Sequence, residues 1–297
     1  MRFLFVDQIV QLDRGKSIRG IKHVTANDYY LTQDAHGRAC FMPSLIGETL
    51  GQLAAWNVME SNNFTARPVA GITAKATLKR PAFVGETILL ESFIDKLDDK
   101  AVQYNSVASI AGDVIFSIEG ALGPVLPMSD FIAEADVREQ FAEINRPGVW
   151  PPPLAASTVY DTQEFAPAFP AMQFDRLLAH EPGVSMVVQK NVTRAAPYFP
   201  DHFPKKPVLP LTVLLECKLN LAQTFIKDAP FDGQYVVEAF RKIKMNNFVS
   251  PGDVITTQVK VKSCDGNCLI LSFRSEVNGA RVCVLEVVMN KVVKNGK

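Results

Sequence analysis

The stretch "FVDQIVQLDRGKSIRGIKHVTANDYYLTQD" (residues 5–34) occurs a second time, in altered form, as "QFDRLLAHEPGVSMVVQKNVTRAAPYFPDH" (residues 173–202). The two copies align without a gap, 168 positions apart, and the register continues until Glu48 meets Glu216. Self-similarity at a fixed distance is the sequence signature of a repeated structural unit. The chain is therefore predicted to contain two copies of one fold.

Each copy reads as a strand, a loop, one long helix and then a meander of strands. Apolar runs at about 44–60 and 211–226 are long enough for helices. The later segments 78–91 and 244–257 also correspond to each other. Their alternation and glycine turns are typical of antiparallel strands.

The two halves are predicted at residues 1–127 and 170–297, with residues 128–169 joining them. The joining segment starts with an acidic helical pattern at 129–144, for which Ser129 is the expected N-cap. It then becomes rich in proline, which is typical of an extended tether. This segment can carry the chain from one half to the other.

The apolar character of the two long helices decides the fold class. A helix that is apolar on nearly every side has to be buried all round. In a half this small, a curved antiparallel sheet wrapped around the helix achieves that burial, and two such halves would pair to cover their open faces. The prediction is an α+β fold in which the halves form a pseudo-dimer within one chain.

Composition excludes several broad classes of function. The 31 basic and 31 acidic side chains cancel, which argues against a general role on nucleic acid or on a membrane surface. No apolar run approaches the roughly 18 residues of a membrane span, and Asp7 interrupts the start of the chain before a signal-peptide core could form. Five cysteines without an export signal predict reduced thiols and a cytoplasmic protein. Cys264 and Cys268 flank a hairpin tip and lack a second ligand pair, so neither a metal nor a cofactor is expected.

The segment "DHFPKKPVLPLTVLLE" (201–216) carries a family resemblance. It resembles the β-hydroxyacyl-thioester dehydratases of dissociated fatty acid and polyketide synthesis, which have the hotdog fold. Their pattern is roughly H-F-P-x-x-P-x-x-P-G followed by a glutamate on the helix. The residues of this chain that match are His202, Phe203, Pro204, Pro207, Pro210 and Glu216, with Leu211 in place of the glycine.

The resemblance implies a double hotdog whose active site is formed across the two halves, because in that family the histidine and the acid come from different hotdogs. One site would then combine His202 as the base with Glu48 as the acid. The resemblance also implies that the backbone N–H of Leu211 polarises the thioester carbonyl, and that Phe203 and Pro210 line the substrate site.

The same resemblance implies that the second site is degenerate. It would consist of Asp34, Pro43 and Glu216. Asp34 stands where the base is needed, and Pro43 has no N–H to offer a carbonyl. His36, two residues out of register, is the alternative base for that site and stays open at this stage.

The chemistry fits these residue types. Removal of an α-proton needs a base such as neutral imidazole, whose unperturbed pKa is near 6.5. Expulsion of hydroxide needs a proton donor, and a carboxylic acid in apolar surroundings can hold a proton near neutrality. Glu48 has an alternative structural reading as a core acid that bonds Gln52 one turn later.

The leading hypothesis is a hydro-lyase that converts a β-hydroxyacyl thioester into a trans-2-enoyl thioester. Acyl carrier protein, or else coenzyme A, would carry the acyl chain. Two alternatives remain: a non-catalytic hotdog that binds acyl carrier protein or partners an active dehydratase, and a thioesterase. Further assembly, as a homo-oligomer or with other synthase enzymes, is left open, as are acyl chain length and pathway.

Overall fold

The computed structural model describes residues 3–25, 28–34, 36–148, 172–193, 196–227, 229, 231 and 233–292. The proline-rich part of the predicted tether from residue 149 onward lies outside these residues. Three α-helices are present in the described part of the chain: α1 (Pro43–Ser61), α2 (Glu134–Ile144) and α3 (Leu211–Lys227). The bounds of α1 and α3 agree with the predicted helices to within one residue at each end.

The strands of the described residues fall into two sets that follow the internal repeat. The first set is β1 (Gln8–Asp13), β2 (Ser17–His23), β3 (Leu31–Gln33), β4 (Ala39–Phe41), β5 (Ala66–Pro68), β6 (Ile72–Leu78), β7 (Thr87–Leu97), β8 (Ala101–Ile110) and β9 (Asp113–Pro127). The second set is β10 (Arg176–Glu181), β11 (Ser185–Asn191), β12 (Tyr235–Met245), β13 (Val254–Cys264), β14 (Cys268–Val277) and β15 (Ala280–Lys291).

One antiparallel sheet runs through both sets. Its order is β1-β2-β7-β8-β9-β6-β12-β15-β14-β13-β11-β10, with β5 paired to β9, while β3 and β4 pair separately. The second half of this order repeats the first half in reverse, as expected for two copies of a unit related by a two-fold axis. The copies join where β6 pairs with β12, at Ala76 opposite Phe240 and Thr73 opposite Ile243. The sequence prediction of a paired α+β fold is confirmed.

The two long helices are buried against this sheet. In α1, Leu45, Ile46, Leu50 and Leu53 are completely buried. Full burial of one such side chain contributes roughly 1.5–3 kcal/mol, so α1 is held mainly by packing. Pro43 is the first residue of α1, a position where its missing N–H costs nothing.

The joining segment differs from its prediction at the helix start. The residues from Met128 to Asp130 form a 3₁₀ turn that contains Ser129, and α2 begins only at Glu134, without a side-chain cap. Phe131 and Ile132, between the two, are buried in the core, and this interrupts the helical path. The prediction of Ser129 as the N-cap is therefore wrong.

Beyond α2 the chain runs along β1. Asn145 forms a parallel bridge with Ile9, and the Gly148 N–H donates to the Val10 carbonyl at 3.2 Å. Among the described residues, none of the helices combines the length and the apolar character needed to cross a membrane.

Candidate active site

A cavity of about 200 Å³ lies between α1 and the start of α3. Glu48 and Gly51 of α1 line one wall, and Leu211 and Thr212 of α3 line another. The loop before α3 contributes His202 to the same cavity. Most of the remaining surface is apolar, including Phe116, Ile118, Leu215, Phe240 and Ile243. Residues from both halves of the chain thus enclose one space.

Glu48 is held by two hydrogen bonds. The Thr212 hydroxyl donates to its Oε2 at 2.8 Å, and Gln52 Nε2 donates to its Oε1 at 3.0 Å. Gln52 is one helical turn from Glu48, so this contact is the one anticipated from their spacing. The Thr212 contact comes from α3 and joins the two halves at the carboxyl group. The side chain is only half-buried, and it lines the cavity.

His202 presents one ring nitrogen to the cavity. Its Nδ1 lies 2.9 Å from the carbonyl oxygen of Val208. Because a carbonyl can only accept, Nδ1 must carry the proton, and Nε2 of the neutral ring is left unprotonated. Burial lowers the pKa of His202, and the positive charge of Arg67 lowers it further, while Glu48 and the Val208 contact act in the opposite direction. A histidine with a lowered pKa is neutral at pH 7 and can act as a base.

The loop that carries His202 is fixed by contacts on both sides. The His202 N–H donates to the Tyr198 carbonyl at 3.0 Å, and Asp201 accepts a hydrogen bond from the Phe3 N–H at 2.8 Å. Phe203 has a φ of +62°, a left-handed conformation that is unfavourable for an aromatic residue. Its ring stacks on the ring of His202, with centroids 4.2 Å apart. The strained residue thereby orients the imidazole.

Leu211 occupies the first position of α3, where backbone N–H groups lack partners within the helix. Within the described residues, no acceptor receives a hydrogen bond from the Leu211 N–H, and the residue lines the cavity. Pro210 lies just before it and was expected to line the substrate site, but it does not line this cavity. Its carbonyl accepts a hydrogen bond from the Leu214 N–H at 3.2 Å, so Pro210 belongs to the start of the helix. The positive end of the α3 dipole therefore faces the cavity.

Asp34 takes part in a local turn. Its carboxylate accepts hydrogen bonds from the His36 and Arg38 N–H groups and forms an ion pair with the Arg38 guanidinium at 2.7 Å. Burial tends to raise the Asp34 pKa, but the Arg38 bonds outweigh it and the pKa lies below its ordinary value. His36 is exposed. Neither residue lines the cavity that holds His202.

Glu216 is buried on α3, with 4% of its surface exposed. The Ser44 hydroxyl donates to its Oε2 at 2.7 Å, and the Ser44 N–H lies 3.3 Å from the same atom. Burial raises the pKa of Glu216, and the Ser44 bonds oppose this. Neither Glu216 nor Pro43 lines the cavity shared by His202 and Glu48. The carboxyl group at 216 thus serves to join α3 to the start of α1.

Several residues of the site were missed by the sequence interpretation. Thr212 and Tyr104 line the cavity, and the pKa of Tyr104 is raised to about 12 by burial and by Glu48. Arg67, on the short strand β5, also lines it. A sequence feature that could have indicated Arg67 is the charged residue in the otherwise uncharged stretch "TARPVAG" (65–71), two positions before the buried Val69. Its position on the cavity wall follows only from the pairing of β5 with β9.

Comparison with known proteins adds two kinds of similarity. A family model described as ApeI-like, the ApeI dehydratase, matches residues 179–284. The chain is 30% identical over 139 residues to the 3-hydroxyacyl-[acyl-carrier-protein] dehydratase FabZ of Shewanella woodyi. The aligned region covers 45% of this chain and 91% of that protein. It is 31% identical over 121 residues to the FabZ of Lactiplantibacillus plantarum, covering 40% of this chain and 82% of that protein.

Among solved structures, a putative oleoyl thioesterase from Lactobacillus plantarum superposes with a TM-score of 0.58 and 11% identity, over 94% of this chain and 97% of that one. The dehydratase domain of PpsC from Mycobacterium tuberculosis, in complex with C12:1-CoA, superposes with a TM-score of 0.56 and 11% identity, over 97% and 98%. At such low identity these likenesses show the fold alone. The fold is a double hotdog.

Proposed function

Because this chain belongs to the 3-hydroxyacyl-[acyl-carrier-protein] dehydratase family, we propose that it removes water from a β-hydroxyacyl thioester to give a trans-2-enoyl thioester. The proposal includes one active site, shared by an N-terminal hotdog at residues 1–127 and a C-terminal hotdog at 170–297. The observation that carries it is the placement of His202 and Glu48, one from each half, on a single apolar cavity.

Each residue has one role in the proposed reaction. Nε2 of His202 removes the α-proton, and the electrons of that C–H bond form the new carbon–carbon double bond. Glu48 in its protonated form delivers a proton to the β-hydroxyl as the C–O bond breaks, so that water leaves. His202 then holds one proton more and Glu48 one fewer, and exchange with solvent restores both. Proton transfers of this kind typically accelerate a reaction by about 10²–10⁴-fold.

The start of α3 supports the same reaction. Negative charge develops on the thioester oxygen as the α-proton leaves. The Leu211 N–H, with the helix dipole behind it, would stabilise this charge. Phe203 lines the cavity and stacks on His202, while the Pro210 carbonyl supports the start of α3. At the position of the predicted second site, Asp34 forms an ion pair with Arg38, and Glu216 accepts a hydrogen bond from Ser44. Both carboxyl groups are thus used in structural contacts, which supports the proposal that the second site is inactive.

The acyl chain is proposed to arrive on acyl carrier protein, with coenzyme A as the alternative carrier. The relatives named above are dehydratases of carrier-protein substrates by their names. Both carriers present the thioester on the same pantetheine arm, so the chemistry at His202 is the same for either.

The proposal is tested by incubating the purified protein with 3-hydroxyacyl thioesters on both carriers and identifying the enoyl product by mass. His202→Asn should lose the activity, since the amide cannot take the α-proton. His36→Asn is the matched control, because this exposed histidine does not line the cavity, and it should leave the rate unchanged. A wild-type protein that dehydrates neither substrate would contradict the proposal and leave a binding or partner role.

Thioester hydrolysis is the second candidate function. It is favoured by the carboxyl group of Glu48 on the cavity wall, which could activate a water molecule for attack on the thioester. The two functions predict different variants. Release of free thiol that survives His202→Asn but not Glu48→Gln would indicate a thioesterase.

A further inference from the structure

The guanidinium of Arg67 is a charged group without a hydrogen-bond partner in the described part of the chain. Its Nε is sealed from solvent and has no acceptor. The side chain lies against the rings of Phe203 and Phe131, at 4.1 Å and 5.7 Å from their centroids. Because Arg67 lines the cavity, its remaining donors face the space where a ligand would sit.

Such an arrangement is costly unless a ligand completes it. A guanidinium has five N–H donors in a planar fork. Arg67 is half-buried, and its sealed Nε is unfavourable without an acceptor. Burial lowers the pKa of Arg67 to about 10, although Glu48 opposes this effect, so the group stays charged at neutral pH. An acceptor oxygen of the substrate would satisfy it.

The stacking geometry limits how far this acceptor lies from the reacting carbon. His202 and Arg67 lie 4.2 Å and 4.1 Å from the centroid of the same Phe203 ring. The Arg67 guanidinium carbon is therefore no more than 8.3 Å from the centre of the imidazole. Arg67 thus reaches the part of the substrate that adjoins the α-carbon which His202 deprotonates.

The neighbours of Arg67 also indicate which part of the substrate it meets. Its neighbour Phe131 is also covered by the Lys206 ammonium at 5.4 Å. Lys206 follows Lys205, which is exposed. Arg67 and Lys206 thus contact the same Phe131 ring, next to the exposed Lys205. If the acyl chain occupies the apolar part of the cavity, beside Phe116 and Leu215, the carrier arm is left on the side of these basic residues.

We propose that Arg67 donates hydrogen bonds to the amide carbonyl of the pantetheine arm that is nearest to the sulfur. In an extended arm this carbonyl is six bonds from the α-carbon, which is within the separation that the shared Phe203 ring allows between Arg67 and His202. The inference rests on the proposed function for the position of the thioester. It assigns to Arg67 the recognition of the arm common to both carriers, and it makes Arg67 a binding residue with no part in proton transfer.

The test measures binding, so it does not depend on turnover. Three non-reactive thioethers with the same alkyl chain are titrated by calorimetry: one of pantetheine, one of N-acetylcysteamine, and one whose arm has methylene groups in place of the amide. Arg67→Met should weaken the first two by about 10- to 100-fold, the loss of a hydrogen bond from a charged donor. It should leave the all-carbon arm unaffected. Lys205→Met, the matched control, should bind all three like the wild type.

Other outcomes would overturn the assignment. Equal loss with all three arms would mean that Arg67 only shapes the cavity, and loss with pantetheine alone would place its partner further along the arm. An effect confined to ligands with a carboxylate at the end of the acyl chain would assign Arg67 to that end. The melting temperature separates folding from binding, because removal of an unpaired charge should leave Arg67→Met at least as stable as the wild type.

The inference and the proposed function can fail separately. Binding of the amide arms that depends on Arg67, in a protein that dehydrates no substrate, would support the inference and contradict the proposed function. Dehydration with wild-type binding of all three thioethers by Arg67→Met would do the reverse.

Discussion

The exchange Glu48→Gln should abolish most of the proposed dehydratase activity while leaving the structure of the site in place. The wild-type carboxyl group accepts one hydrogen bond from Thr212 and one from Gln52. A glutamine at this position keeps an oxygen for the Gln52 amide, and its own NH₂ can donate to the Thr212 hydroxyl, which can accept as well as donate. Both contacts survive, so the variant loses only the transferable proton.

The size of the effect follows from that loss. General acid catalysis contributes about 10²–10⁴-fold, which corresponds to about 2.7–5.4 kcal/mol of transition-state stabilisation. We expect kcat to fall by this factor, with a small change in KM, because the cavity keeps its shape. Glu216→Gln is the matched control: its amide oxygen can still accept from Ser44, and the residue lies away from the cavity, so activity should be retained.

The assay follows the ultraviolet absorbance of the conjugated enoyl thioester in the hydration direction, with wild type and both variants at equal concentration. Circular dichroism and thermal melting verify that both variants are folded. The reasoning would be refuted if Glu216→Gln lost activity as severely as Glu48→Gln, or if Glu48→Gln were fully active.

Three further predictions follow from the same structure. The activity of the wild type should decline in acid only below the pH near 6.5 at which an ordinary histidine titrates, because burial lowers the pKa of His202. In Arg67→Met the acid limb of the kcat/KM profile should move to higher pH, because a positive charge that lowers the His202 pKa is gone; an unmoved limb would contradict this prediction. Gly51→Ala should stabilise α1 by up to about 1 kcal/mol, because the new methyl group meets only the Tyr104 hydroxyl at 3.8 Å; urea unfolding measures this effect. Because Gly51 lines the cavity, kcat/KM should fall more for long acyl chains than for short ones, which a series of substrates of different chain length measures. Lys218→Met should raise the free energy of unfolding by roughly 1 kcal/mol or more, because a buried polar group with a weak partner is unfavourable. The Lys218 side chain is fully buried, and its Nζ has the Cys283 sulfur at 3.1 Å as its partner; a lower urea midpoint would show that the Nζ contact is needed.

The repeat in the sequence was sufficient to predict the fold. Strand alternation, glycine turns and the all-round apolar pattern of α1 and α3 are local properties, and each follows from which side chains must leave water. The pairing of two such units follows from their open faces. By contrast, the start of α2 was predicted wrongly at Ser129, because the burial of Phe131 depends on contacts made by the folded chain.

The candidate site shows the same division. The sequence alone revealed the asymmetry between the halves, since Asp34 stands where His202 is needed and Pro43 stands where Leu211 has an N–H. The family resemblance adds Glu48 as the partner of His202, and this stays a prediction, although both residues line one cavity.

The tertiary structure alone decided which charges lack partners. Glu216 could have faced a ligand but accepts hydrogen bonds from Ser44, while Arg67 could have reached water but lies against Phe203 and the cavity. The physical reason is that the cost of burying a charge depends on every group around it. Those groups come from strands and helices far apart in the sequence, and the folded chain brings them together.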